Sequence, residues 1–399
     1  MSSSPSPLRE VAATPHALYL LITALVGRLP TAMAALAIVQ LVRLQGGDFA
    51  LAGIMTSLYV LSGAVGQPFL GRLIDRLGQT LILVVSGVAG SVGFVAMAIG
   101  GAQLPVLGLA GALVAGLFTP PLEPALRSLW PRMVPEGPKL KAAFSLDAGA
   151  QELVYIAGPL LTVVGIAAFG ATGNLFFAAA LGLVGTLAFA VDRLSRSVAP
   201  ALPTSSPRIS PIRSRTLQRV VLFQFGIGFP LGMLAIAVTA FGELRAIPEF
   251  AGWALSANAV GALIGATVSA MRPSLREPHR LLSLYGVIFA ASYLPLAIMG
   301  LHEIAWIVLA VLAGVMLPPT LAQIFDYVQK TTAPEALTEA NAWIISAFNV
   351  GAAAGTTLAG FIAGAAGGAS VSLMVLLSVA ITALATLAML PRFSAPRVG

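Results

Sequence analysis

The sequence predicts an all-α integral membrane protein of twelve transmembrane helices, arranged as two six-helix bundles related by internal duplication. Three observations carry this. Hydrophobic residues make up 58% of the 399-residue chain and charged residues 9%, against about 25% charged in a soluble domain. Apolar runs of the length that crosses a ~30 Å hydrocarbon core recur along the whole chain. The chain also reads twice at a near-constant offset. Gly27-Arg28-Leu29-Pro30 returns as Gly228-Phe229-Pro230, with the prolines 200 residues apart. Ala52-Gly53 returns as Ala251-Gly252 and Gly66 as Gly265, at an offset of 199. Gly116-Leu117-Phe118-Thr119-Pro120-Pro121 returns as Gly314-Val315-Met316-Leu317-Pro318-Pro319, at 198. Pro135-Glu136 returns as Pro334-Glu335, at 199.

The elements follow in order. Residues 1–15 are polar and rich in Ser and Pro, and read as a cytoplasmic tail. Span 1 covers 16–41; it is too long for a signal-peptide core and no A-x-A-like cleavage site follows it, so it stays in the mature protein. Spans 2 and 3 cover 49–70 and 80–100, and span 4 covers 105–128. Spans 5 and 6 cover 142–168 and 174–192, which closes a first bundle at 16–193. Residues 194–216 hold four Pro, six Ser and four Arg, the composition of a flexible cytoplasmic linker. The second bundle, 217–390, repeats the pattern with spans at 218–241, 250–271, 281–299, 304–327, 339–364 and 371–390. Residues 391–399 form a second cytoplasmic tail.

The charges orient the spans and exclude other classes. The net charge of +7 could suggest nucleic acid, but its placement argues otherwise. Of the 22 Lys and Arg, 19 fall on the side of the termini under this layout; Arg43 and Arg245 fall opposite, and Arg28 lies within a span. That asymmetry puts both termini and the linker in the cytoplasm, with attraction to anionic lipid as a secondary effect. The chain has no Cys, and its three His (His16, His279 and His302) lie near span ends. The pattern therefore calls for no disulfide frame, metal or cofactor. No Gly-Lys-Ser/Thr phosphate loop is present, so ATP is not the expected driving force.

Between spans 2 and 3 the chain reads Gly71-Arg72-Leu73-Ile74-Asp75-Arg76-Leu77-Gly78. Two glycines permit a tight turn, and a carboxylate suits a helix N-terminus. As residues alone this is a polar cytoplasmic turn. It also resembles the loop 2–3 motif of the major facilitator superfamily, G-x-L-x-D-R-x-G-[RK]-[RK], in a chain whose twelve spans, linker and duplication fit that family. Gln79 and Thr80 replace the usual basic pair, and the second-half loop, Ala270-Met271-Arg272-Pro273-Ser274-Leu275, lacks the acid and the glycines. The resemblance implies that Gly71, Asp75, Arg76 and Gly78 are gating residues and that spans 1, 4, 7 and 10 line the substrate path. Tyr19, Thr23, Thr119, Gln224, Thr320 and Gln323 are loose candidates there.

Charges within spans are candidates for function because each is costly in lipid. Arg28 lies 12 residues beyond His16, past mid-membrane, and its second-half counterpart is Gly228. Glu152 lies 10 residues into span 5, with Gln151 and Tyr155 on adjoining positions and Asn349 as the span 11 counterpart. In the fold the resemblance implies, spans 1 and 5 can touch, so Arg28 and Glu152 are expected to pair. The pair is either structural or a polar centre that binds substrate or trades a proton through Glu152. Glu123 and Arg127, at i, i+4, are expected to form a cytoplasmic charge cluster with Asp147, Asp75 and Arg76. Pro30, Pro120, Pro121, Pro159, Pro230, Pro318 and Pro319 are expected to kink their spans. Gly158-Pro159 resembles the core of the motif that marks exporters of the family.

These readings converge on a monomeric permease of the cytoplasmic membrane that moves a small molecule by alternating access, with proton-coupled efflux of an amphipathic compound as first choice. Uptake or facilitated diffusion of a small metabolite is the alternative within transport. An enzyme would need paired catalytic groups or a metal cluster, and a channel would need neither a gating loop nor a duplicated bundle.

Overall fold

The computed structural model describes Val11 and residues 14–135, 137–198, 211–270, 278–332, 337–365 and 369–389. Most of the N-terminal tail, the C-terminal tail, the linker stretch 199–210 and most of the second-half loop at 270–275 lie outside the described residues. Every regular element described is helical. The chain divides into two compact units, Met1–Ser205 with Ala251–Ser256, and Ser206–Phe250 with Ala257–Gly399.

The first unit holds α1 (Ala17–Leu44), α2 (Phe49–Leu77), α3 (Gln79–Gly100), α4 (Pro105–Leu117), α5 (Leu122–Met133), α6 (Pro138–Val191) and the short α7 (Arg193–Arg196). The second holds α8 (Arg215–Arg245), most of α9 (Phe250–Ala270), α10 (Pro278–Tyr293), α11 (Glu303–Val315), α12 (Leu317–Thr331), α13 (Leu337–Ala365) and α14 (Ala369–Leu387). Ten of the helical stretches are long and apolar enough to cross a membrane. The number reconciles with twelve spans. The 54-residue α6 carries spans 5 and 6, and span 9 is a shorter apolar helix, Leu282–Ala297.

A straight α6 would be about 80 Å long, far more than a bilayer core. It turns at Gly170, where φ is 71° and ψ is 173°. The reversal brings Asn174 against Gly165 and sets the Phe169 and Phe177 rings 5.9 Å apart.

Three expectations about local structure are corrected. The segment 71–78 is not an eight-residue loop: α2 runs on to Leu77, and Gly78 alone joins it to α3. At φ 90° and ψ 154° Gly78 occupies a region open essentially to glycine only. Second, Pro120 and Pro121 do not kink a continuous span 4. They lie in a non-helical link between α4 and α5, because two adjacent prolines remove two successive N–H donors and clash with the preceding turn. Third, Pro318 and Pro319 open α12 after a break at Met316, a position where proline suits a helix start. Pro30, Pro159 and Pro230 lie inside helices that continue through them.

Each unit has its own core. In the first, Val11, Leu20, Leu126, Leu129, Trp130 and Phe189 form a fully buried cluster. In the second, Phe241 stacks 4.7 Å from Phe250 and 5.2 Å from Trp306. Between helices the seams are built on small residues, as close packing in lipid requires. Gly185 of α6 sits directly on the Gly27 backbone of α1.

Candidate functional site

The buried charges of the first unit form one network on α1, α5 and α6. Arg28 on α1 is 6% exposed. Its Nη1 donates to Asp147 Oδ1 at 3.1 Å and to Gln151 Oε1 at 2.8 Å. Asp147 and Gln151 are four apart on α6, so they present one face to α1. Asp147 is fully buried, and its second oxygen accepts from Arg127 Nε at 3.0 Å. Arg127 on α5 also holds Glu123, one turn earlier, at 2.8 Å.

The expected Arg28–Glu152 pair is therefore corrected: Arg28 pairs with Asp147. The physical reason is direction. Side chains on a helix lean toward its N-terminus. α1 and the first arm of α6 run the same way, so the Arg28 guanidinium reaches toward the α6 start and meets Asp147. Glu152 is five residues further on, about 7.5 Å along the axis and ~140° around it. It is half-buried and has no hydrogen-bond or ion-pair partner among the described residues. Asp147 is corrected too, from a member of a surface cluster to the bridge between Glu123–Arg127 and the buried Arg28. The signal was present in the sequence, since Asp147 and Gln151 have helical spacing on one face.

Arg28 is not saturated. Its Nε and Nη2 are buried without a protein partner. Tyr155, 47% exposed, lies within electrostatic reach of Arg28, Glu123 and Glu152. Asn349 is half-buried on α13 of the second unit. At the second-unit position equivalent to Arg28, a Cβ on Gly228 would run into the Phe348 backbone, and Gly232 is likewise closed by Ala352. α8 and α13 touch backbone to backbone there, which leaves no room for an arginine.

A small cleft opens within the first unit, lined by Thr31, Tyr59, Ser91, Phe94, Thr119 and Pro120 among others. The break in span 4 contributes Thr119 and Pro120. Non-helical backbone at membrane depth is tolerated where it is buried or lines such a cavity. The Thr119 hydroxyl donates to the Ala115 carbonyl at 3.0 Å, and Gln67 donates to the Thr119 carbonyl at 2.8 Å. Of the other loose candidates, Tyr19 donates to the Ala188 carbonyl at 2.9 Å, and Thr23 bonds its own helix backbone. Gln224 is buried with its Oε1 unpartnered.

The gating-motif residues divide. Gly71 is inside α2 with open space where a Cβ would point, Arg76 is exposed, and Gly78 is the joint. The side chain of Asp75 lies outside the described residues. Gln79, where the motif has a basic residue, is buried and donates to Ser195 Oγ at 2.8 Å. It ties the start of α3 to α7.

Comparison with known proteins gives a consistent result. The family model described as Major Facilitator Superfamily matches residues 20–241, more than half of the chain. No curated protein matches the sequence. Among solved structures, the nucleoside transporter NupG, crystallised as a mutant, superposes with a TM-score of 0.71 at 14% identity. The match covers 93% of this chain and 98% of that one. A mutant of the peptide transporter POT superposes with a TM-score of 0.70 at 18% identity, covering 96% of this chain and 98% of that one.

Proposed function

The chain belongs to the major facilitator superfamily, and from that premise we propose that it exports a small amphipathic molecule across the cytoplasmic membrane in exchange for protons, by alternating access. The observation that carries the reading is the contrast between two carboxylates five residues apart. Asp147 is shared by two arginines, whereas Glu152 has no ion-pair partner among the described residues. An ion without a partner in a span carries the full cost of its low-dielectric surroundings. A bound proton cancels that cost, so Glu152 is the proton carrier and Asp147 the fixed point around which Arg28 is held. Arginine cannot take the proton role, because it does not deprotonate.

The gate in this reading is the α2–α3 joint, with Gly71, Asp75, Arg76 and Gly78. The cavity side chains named above are mostly neutral, which favours an amphipathic substrate over a strongly ionic one. The solved relatives are named for nucleosides and peptides, but at 14% and 18% identity that likeness carries the fold and not a substrate.

The test starts from a deletion strain compared with its parent for metabolites and drug susceptibility. The compound so identified is then followed in proteoliposomes. An imposed pH gradient should drive it, an uncoupler should abolish the drive, and Glu152→Gln should lose the drive while retaining exchange without a gradient. Flux indifferent to the uncoupler would make the protein a facilitator. Gradient-driven flux in Glu152→Gln would place the proton elsewhere.

A further inference from the structure

Gly78 joins two helix ends of unequal standing. On the α2 side, none of the side chains described at 71–77 is buried. Arg72, Arg76 and Leu77 are exposed, and nothing stands within 4 Å of where a Gly71 Cβ would point. On the α3 side, Gln79, Ile82 and Leu83 are all buried, and Leu83 belongs to the core cluster of the first unit. We propose that α7 is an anchor that fixes the start of α3, so that Gly78 is a one-sided hinge. The last turns of α2 are the arm and α3 is the post, a division of roles that rests on this joint being the gate of the proposed function.

The anchor is built from side chains on three sides. Asp192 caps α7 by accepting from the Leu194 N–H at 2.8 Å. Its other carboxylate oxygen accepts from His16 Nδ1 at 2.8 Å, at the start of α1. His16 has φ 66°, a left-handed conformation that is uncommon outside glycine and persists where the surroundings hold it. Ser195 is fully buried and accepts from Gln79 Nε2 at 2.8 Å. Arg132, near the end of α5, reaches the carbonyl and hydroxyl of Ser197 at 3.4 Å each. Leu194 and Val198 pack against the cluster that holds Val11, Leu83 and Trp130. The opening residues of the stretch whose composition reads as a linker are thus tied to α1, α3 and α5.

The energetics favour motion on one side only. Opening the Gln79–Ser195 bond would leave a buried donor and a buried acceptor unpaired, which costs more than the bond contributes. A segment with few buried contacts opens at low free energy, and the end of α2 is such a segment. The departure from the family motif fits this reading. A glutamine at position 79 can be buried against a serine, whereas a cation there would need a counter-charge.

Hydrogen exchange of the purified full chain in neutral detergent, read by mass spectrometry, follows the hinge without a substrate. Amides 73–77 should exchange faster than 83–87 on the order of tenfold. Ser195→Ala should speed exchange at 83–87, again on the order of tenfold, and leave α4 at 109–113 unchanged. Asp192→Ala should act the same way through loss of the α7 cap. Asp192→Asn, which can still accept from His16 and Leu194, should exchange like the parent. Equal rates on the two sides of Gly78, or a rate at 83–87 that Ser195→Ala leaves unmoved, overturn the anchor. Should Ser195→Ala not fold, Asp192→Ala against Asp192→Asn decides alone. The chain has no cysteine, so Gln79→Cys with Ser195→Cys can be bridged by a short bifunctional thiol reagent. Flux of the compound identified by the deletion strain should survive the bridge. Flux that stops on bridging and returns on reduction means that α7 must let go, and overturns the fixed post. The gate reading fails separately: if Gly78→Ala leaves flux at the parent level, the joint is not the gate, while the exchange pattern still assigns its fixed and moving sides.

Discussion

At the scale of residues, the first unit turns on Asp147. It is fully buried and shared by Arg28 and Arg127 at 3.1 and 3.0 Å. Breaking a buried pair by removing one partner costs about 3–5 kcal/mol, because the other charge stays buried. Asp147→Ala should therefore lower stability by that order, read as a fall in unfolding temperature of the purified protein. Arg28→Met should cost less, because Asp147 keeps Arg127, which is 46% exposed and loosely held. Arg28→Met combined with Asp147→Leu should recover part of the loss, since no buried orphan remains. An Asp147→Ala protein as stable as its parent would show that the network holds nothing together. The sequence exposed Arg28 as a buried cation but not its partner, because depth along a span was legible and the lean of the side chain was not.

At the scale of elements, the α2–α3 joint separates two glycines that look alike in the motif. Gly78 has φ 90° and ψ 154°, while Gly71 is helical with nothing near its would-be Cβ. Gly78→Ala should cost about 1–3 kcal/mol through backbone strain. Gly71→Ala should be neutral or stabilising, since alanine favours the helix by about 1 kcal/mol. Unfolding midpoints of the two variants measure the contrast; equal effects would mean that the joint relaxes freely. The proline pairs teach a related lesson. Pro120-Pro121 and Pro318-Pro319 align in the repeat, yet the first pair lies in a link and the second begins a helix. A proline pair specifies that a helix cannot pass through it. Which side the helix resumes on depends on the packing of the neighbouring turns.

At the scale of the whole molecule, orientation rests on the distribution of Lys and Arg, and it has a direct check. Cysteines placed singly at Gly46 and Ser205 and probed with an impermeant thiol reagent in intact cells should label only at position 46. Labelling at 205 instead would reverse the assignment of the cytoplasmic side. The sequence by itself determined that the chain crosses a membrane many times and that it is an internal duplication. Both are written in composition and in repeated Gly and Pro positions, which act over a few residues and survive without knowledge of neighbours. Only the tertiary structure decided that Arg28 belongs to Asp147 and that α8 and α13 close on glycine where α1 and α6 enclose an arginine. Those outcomes depend on which helix faces meet and how far each side chain reaches. Helices more than a hundred residues apart in sequence settle such questions by packing against one another, and no local pattern encodes that contact.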